Sequence, residues 1–398
     1  MLKLLSIVPF HLKDNAIGHV FCSLHKKWQQ SDIQAQMIVP SCEPYLRQPA
    51  ITEAVSPLLR WYYYKQNGLP KRKAEKLFLK KLKHFDAAYI WPGISLETTR
   101  QAKAISKPIF LERVNCFTGH SKQILDDAYA RIGLKPTHPN TLETVEVERE
   151  EIDLADFIIC PSQTVTQSYL DAGVPGQKLL TASEGWCPER FPYLSQFRSV
   201  EKQSQSDEFK VVFMGSDSIR KGLHLFLRVW EKANIPGKLI ILGHLDPRVA
   251  EICGDTLSRL DVVHLGARPD YASFYLDADL FVLPSLEEGS PLVTYEAMAH
   301  GLPIVASPMG AGGIVRDGLD GIVLPPYEED CWVDALIKLA SDPSLRHQLG
   351  ESARRQAYQY TWEKVAARRA NLMLSALNQP SALSVESDHD RLLVSAVS

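Results

Sequence analysis

Two pairs of charged residues and one helix start are the parts of this sequence best suited to chemistry. In Glu288-Gly-Ser-Pro-Leu-Val-Thr-Tyr-Glu296 two glutamates bracket seven residues, and upstream Arg220-Lys221-Gly222 sets two cations side by side. A chain of this length holds about one such glutamate pair by chance, so the context has to decide. Ser290 is a good N-cap, Pro291 suits the first helical position, and Gly301 stands where a helix of about ten residues would stop. Because Pro291 has no N–H, the free donors at the helix start are the amides of Leu292 and Val293, at the positive end of the helix dipole. That arrangement seats a phosphate. Carboxylates beside a phosphate repel it unless they serve hydroxyl groups. Glu288 and Glu296 therefore point to a ligand that carries both phosphate and hydroxyl groups.

Arg220 and Lys221 close the stretch that begins at Met214-Gly215 and opens a helix with Leu223, Phe226, Leu227 and Trp230 on one face. Two cations at a strand-to-helix turn suit a diphosphate, although a solvated basic turn has the same composition. Met309-Gly-Ala-Gly-Gly313 is a further glycine-rich turn, and it permits close approach of the backbone to a ligand.

Short apolar runs alternate with helix-period segments along the whole chain, the pattern of parallel sheets covered by helices. In the first half the strand candidates are 4–9, 35–39, 87–91, 108–111 and 157–160, and in the second half 210–214, 238–242, 262–265, 280–283 and 304–306. The fold class is α/β, with two doubly wound domains, an N-terminal one over 1–195 and a C-terminal one over 205–358. Between them the stretch from Ser195 to Glu208 is polar and aperiodic and reads as an exposed linker. The helix over about 360–378 carries Trp362, Ala366, Ala370, Met373 and Leu377 on one face and has a stripe to bury, and 379–398 reads as a disordered tail. In such sheets ligands meet the carboxyl ends of the strands, where the motifs above lie.

The bulk properties exclude several classes. With 398 residues, 45% hydrophobic and 23% charged, the chain is of globular type, and a net charge of -3 gives no reason to expect nucleic acid. Its seven cysteines are scattered without a Cys-x-x-Cys pair, which disfavours a disulfide framework and a zinc site and points to a reducing, cytoplasmic setting. The opening Met-Leu-Lys-Leu-Leu-Ser-Ile-Val-Pro-Phe reads as a buried first strand rather than a signal peptide, and no run reaches the roughly 18 apolar residues of a membrane span. Of the Asp-x-Asp triplets, Asp277-Ala-Asp279 precedes a strand and Asp388-His-Asp390 lies in the tail, so neither is placed to hold a metal against a diphosphate.

Taken together, Glu287-Glu-Gly-Ser-Pro-Leu-Val-Thr-Tyr-Glu-Ala-Met-Ala-His-Gly-Leu-Pro-Ile-Val-Ala306, the upstream Arg220-Lys-Gly222 and the downstream Gly312-Gly-Ile-Val-Arg-Asp-Gly-Leu-Asp-Gly321 resemble the GT-B glycosyltransferases of family four, the large retaining group. Ala155-Asp-Phe-Ile-Ile-Cys-Pro-Ser162, Ala172-Gly-Val174 and Glu184-Gly-Trp-Cys-Pro-Glu-Arg-Phe191 look like that family's passage into its linker. The likeness is good from about 150 to 375 and weak before that.

The resemblance implies two Rossmann-like domains facing a cleft and transfer of a sugar from a UDP- or GDP-sugar to a hydroxyl acceptor. It further implies retention of configuration, no metal, and a place in envelope polysaccharide or glycolipid synthesis. It puts Glu288 at the donor sugar, Glu296 on the ribose, and Arg220 and Lys221 on the diphosphate. Many members carry Gly-Arg where this chain has Gly215-Ser216, and Arg220 is assigned the catalytic-arginine role. His120 is the best match to the histidine near the reacting carbon, and Gly18 to the glycine pair of the first loop. A nucleotide-sugar 2-epimerase of the same fold and a non-catalytic nucleotide-sugar-binding protein are the alternatives.

The acceptor has left one further trace. Nine basic residues stand against Glu75 in the span 60–84, behind the aromatic run Trp61-Tyr-Tyr-Tyr64. A stretch of this kind suits peripheral contact with an anionic membrane surface, and it also suits a solvated helix.

Overall fold

The computed structural model describes residues 1–14, 16–29, 31–56, 58, 65, 68–191, 194, 208–216 and 218–378. Residues 195–207 of the expected linker, the Trp61–Tyr64 run and the expected tail all lie outside the described residues. Two wholly parallel sheets carry the chain. The first holds β1 (Leu2–Ile7), β2 (Ile33–Val39), β3 (Ile51–Glu53), β4 (Ala87–Ile90), β5 (Ile109–Glu112), β6 (Phe157–Cys160) and β7 (Leu179–Thr181), in the order β3-β2-β1-β4-β5-β6-β7. The second holds β8 (Lys210–Met214), β9 (Lys238–Leu242), β10 (Val262–Gly266), β11 (Leu280–Leu283), β12 (Ile304–Ala306) and β13 (Gly321–Val323), in the order β10-β9-β8-β11-β12-β13.

The strands are short and apolar because both faces of each sheet are covered. β1 alternates accordingly. Leu4 packs into the core on one side of the first sheet, while Leu5 and Ile7 pack into the core on the other. β4 and β11 are buried along their whole length. Chain direction across each sheet reverses beside its first strand, between β1 and β4 and between β8 and β11. A crevice opens at such a switch point beyond the carboxyl ends of the strands. In the second sheet the two loops that flank it are Gly215–Gly222 after β8 and Pro284–Pro291 after β11, which are the two motif-bearing segments.

The three strands not anticipated, β3, β7 and β13, have three residues each and stand at sheet edges. The C-terminal helix Trp362–Asn378 returns to the first domain, as its apolar stripe requires. Trp362, Ala366, Ala370 and Met373 enter the core beside β1 and β2, and Leu377 packs at its margin. The Trp28 indole donates to the Ala366 carbonyl at 2.9 Å. Arg369, on the same helix, is 1% exposed and pairs with both oxygens of Glu112 at 3.0 and 2.9 Å, and also with Glu184 at 3.3 Å. The chain crosses between domains as two paired segments, where Trp186 exchanges backbone hydrogen bonds with Tyr360 and Trp362.

Candidate active site

The helix after β11 runs Leu292–Ala299 and is shorter than expected. Pro291, not Ser290, is its N-cap, and the Ser290 hydroxyl is hydrogen-bonded instead to the Tyr295 hydroxyl at 2.6 Å. A buried phenol one turn along offers that hydroxyl a dry partner, so the capping site is left to backbone alone. The consequence for Leu292 and Val293 is unchanged. Both are half-buried and stand at the first two helical positions, where amides have no intrahelical acceptor. The Gly301 backbone, at φ 75°, ends the helix as expected.

Arg220 and Lys221 converge on the loop before that helix. Arg220 Nη1 donates to the Glu287 carbonyl at 3.0 Å and lies 3.0 Å from Glu288 Oε1 and 3.6 Å from Glu287 Oε2. The Lys221 ammonium pairs with the same Glu288 oxygen. The turn that makes this possible needs Gly222, at φ 72°, because a Cβ there would fall 2.1 Å from the Pro284 carbonyl oxygen. Gly215 holds the near end of the turn, with the Lys221 side chain packed where its own would stand.

Two adjacent glutamates thus acquire opposite character. Burial works against charge on Glu288, but the Lys221 ammonium and the Arg220 guanidinium outweigh it and hold the carboxyl below its ordinary range. Glu287 is also buried and is pushed up to about 7, because desolvation and the Glu288 charge exceed the pull of Arg220. Pairs of carboxyls driven apart in this way are common where proton and charge placement matter.

Glu296 projects from the second turn of the helix into a separate small nest. Tyr271 and Tyr275 donate to its two oxygens at 3.3 and 3.4 Å, and Arg190 Nη1 lies 3.9 Å away. Burial raises its carboxyl to about 7 against those partners. Sequence reading did not assign Tyr271, Tyr275 or Arg190 to the site. Their signals were present, in the four-residue spacing of the two tyrosines and in a motif already placed in the interdomain passage.

From the first domain, the loop after β5 meets this loop face to face. Asn115 Nδ2 lies 3.5 Å from Glu287 Oε2, and the Cys116 thiol lies 3.7 Å from the Glu288 carbonyl. The approach is so close that a Cβ on Gly289 would stand 1.8 Å from the Val114 carbonyl oxygen. His120 is half-buried on the first turn of the helix Thr118–Arg131. Asn115 and Cys116 touch the glutamate loop. Gly18 is buried in the first turn of the helix Ala16–Trp28, where a Cβ would strike the Lys13 carbonyl at 2.1 Å. Packing alone therefore requires a glycine at that position.

Arranged this way, the cleft offers two cations and two helix-start amides to a diphosphate, with ionised Glu288 on one side and Glu296 on the other. Among the described residues no His, Cys, Asp and Glu group is clustered to hold a metal ion, and no helix is long and apolar enough to cross a membrane.

Residues 196–356 match the family model for glycosyl transferases group 1. The D-inositol 3-phosphate glycosyltransferase of Thermobispora bispora is 25% identical over 257 residues, 58% of this chain and 59% of that protein. The chain spans about half the length of the curated relatives it matches. Among solved structures, sucrose-phosphate synthase from Thermosynechococcus elongatus superposes with a TM-score of 0.69 at 19% identity, covering 95% of this chain and 99% of that one. The Anabaena protein HepE in complex with UDP-glucose gives 0.66 at 16% identity, covering 94% and 100%. The chain therefore has the two-domain GT-B fold of solved glycosyltransferases, and its second domain matches the group 1 glycosyltransferase family.

Proposed function

We propose that the chain is a glycosyltransferase that moves a sugar from a nucleoside diphosphate sugar to a hydroxyl acceptor with retention of anomeric configuration and without a metal. The observation that carries this reading is the convergence of Arg220 and Lys221 on ionised Glu288 at the start of the helix Leu292–Ala299. The bond that breaks joins the anomeric carbon to the diphosphate, so negative charge grows on the departing oxygen. Cations and amides fixed in advance around that oxygen stabilise it. The new bond joins the same carbon to the acceptor oxygen, and the acceptor proton leaves with the diphosphate. Glu296, hydrogen-bonded by two phenols, is the acceptor for ribose hydroxyls. The complex of HepE with UDP-glucose, on the same fold, supports a uridine donor as the first one to try.

The test is a thermal-shift screen with UDP and GDP, followed by donor turnover with and without hydroxyl acceptors. Turnover should fall by about two to three orders of magnitude in Lys221→Ala, persist in chelator and give the retained anomer. An inverted product, or chelator-abolished turnover, would refute the mechanism. Nucleotide sugar incubated alone should hydrolyse slowly and yield no epimerised sugar.

For the acceptor we propose a lipid-linked or envelope glycan presented at an anionic membrane surface. The helix Leu69–Leu82 supports this by turning Arg72, Lys76 and Lys80 to solvent, with Lys83 exposed just beyond. Sedimentation with phosphatidylglycerol vesicles should be salt-dependent and lost when Lys76 and Lys80 become glutamate. Binding that is equal on neutral vesicles would sink this part.

A further inference from the structure

Beside the proposed donor seat lies a cavity of about 480 Å³. It is bounded by the loops after β8 and β9 on one side and, on the other, by the helix Thr118–Arg131 and the loop that follows. Its lining shares Arg220 with the donor seat but includes none of Lys221, Glu288, Leu292, Val293 or Glu296.

The charges around this space are already matched. Arg248 is held by Asp246, with Nε to Oδ1 at 3.0 Å, and it also reaches Thr137 across the cleft at 3.0 Å. Arg220 is held by the two glutamates, and His138 by Asp126 at 2.9 Å. Besides these, Asn115, Ser121, Asn140, Ser216, Ser218 and His244 face the space, all able to hydrogen-bond. Asn140 donates to the Ser121 hydroxyl at 2.9 Å, and Ser121 in turn stands beside the Glu287 carboxyl.

Glu287 is the exception. Its side chain is buried and lines the cavity, yet Oε1 has no hydrogen-bond partner among the described residues. A buried oxygen left without a partner costs about 1–3 kcal/mol, and a ligand hydroxyl would relieve that cost. An anionic group would instead set its charge beside the Glu287 and Asp246 carboxyls.

We infer that this cavity receives a neutral, hydroxyl-rich sugar ring, with Glu287 Oε1 accepting from one of its hydroxyls and Asn115, Ser121 and Asn140 holding the others. That the ring is the acceptor's rests on the transferase reading above. The inference departs from the relatives named for a phosphorylated inositol. It makes Glu287 a specificity-determining residue for an uncharged acceptor end.

The test is saturation-transfer NMR on the full chain, with and without the nucleoside diphosphate that binds. The probes are methyl glycosides of glucose, galactose, mannose and N-acetylglucosamine, compared with glucose 6-phosphate and inositol phosphate. At least one neutral glycoside should bind saturably, and neither phosphate more tightly. Glu287→Ala and Asn140→Leu should each weaken that binding about tenfold, while Asn140→Leu leaves nucleotide affinity within about twofold. The inference is overturned if no neutral glycoside binds, if a phosphate ester binds more tightly, or if both variants bind the glycoside like wild type. Failure of every nucleoside diphosphate to bind wild type would instead refute the donor reading. The glycoside titration without nucleotide still reports on the cavity in that case.

Discussion

Replacing Glu296 by glutamine should stabilise the ligand-free protein at neutral pH and weaken nucleotide binding. In the folded chain its carboxyl is raised from 4.5 to about 7 by burial. At about 1.4 kcal/mol per tenfold change in proton affinity, that rise corresponds to roughly 3 kcal/mol of destabilisation once the group is ionised. The sign follows from linkage. A carboxyl whose folded pKa is raised binds its proton more tightly in the native state, so its contribution is favourable below the unfolded value and is lost as pH rises through about 7. Glu296→Gln removes the charge and keeps an oxygen for Tyr271 or Tyr275. Its melting temperature should match wild type near pH 5 and exceed it near pH 8, by about 6–12 °C if the full 3 kcal/mol is realised in a domain of this size. The same variant loses a charged acceptor for ribose hydroxyls, worth about 1.5–3 kcal/mol, and so should bind UDP at least about tenfold more weakly. Differential scanning fluorimetry from pH 5 to 8 and isothermal titration with UDP read the two effects separately. Parallel melting profiles for wild type and variant across that range would refute the reasoning, because a carboxyl with an unshifted pKa predicts no pH-dependent difference.

Two other substitutions test the frame that carries the site. Arg369→Ala leaves Glu112 and Glu184 buried without their cation, and loss of one partner from such a cluster costs about 3–5 kcal/mol. Urea unfolding should show that loss, and a change under about 1 kcal/mol would mean that the network is not holding the C-terminal helix. Gly289→Ala places a methyl 1.8 Å from the Val114 carbonyl oxygen and must part the two domains at the glutamate loop. Sugar transfer should fall by at least about tenfold with UDP binding nearly intact, and unchanged transfer would show that this approach is not needed for turnover.

The meeting of the two charged loops was legible because it depends on local order. β8 and β11 are apolar runs, their loops carry the charged residues, and a parallel sheet delivers such loops to its switch point. The edge strands β3, β7 and β13 were not legible, because three mostly half-buried residues at a sheet edge lack the fully buried apolar run that marks the equally short β12. Ser290 misled for a different reason. Its type and spacing suit a cap, but the competing Tyr295 hydroxyl is revealed only once the helix is packed. Arg369 stands at the apolar stripe of its helix, three residues after Ala366 and four before Met373, and its main partner, Glu112, is 257 residues away in sequence. Local patterning specifies where an element begins and which face is apolar. It carries no record of which distant carboxylate will meet a buried guanidinium.

Glu287 and Glu288 show where that boundary falls within the site. They are adjacent, identical in type and both buried, and residue type alone gives no sign that their charges differ. What separates them is that the Lys221 ammonium reaches one and not the other, and that Arg220 lies closer to Glu288 Oε1, at 3.0 Å, than to Glu287 Oε2, at 3.6 Å. Coulomb energy falls with distance and rises as solvent is excluded, so one ammonium placed on one side of a dry loop is enough to divide the pair. Glu288 keeps its charge and holds Arg220 and Lys221 together, where the proposed diphosphate would meet them. Glu287 approaches neutrality at physiological pH and faces the cavity on the first-domain side, where a charged carboxylate would reject an anionic acceptor and a hydrogen-bonding carboxyl would suit a hydroxyl. The opposite character of the two carboxyls thus follows from the reach of a single lysine side chain, and the proposed division between donor and acceptor sides rests on it.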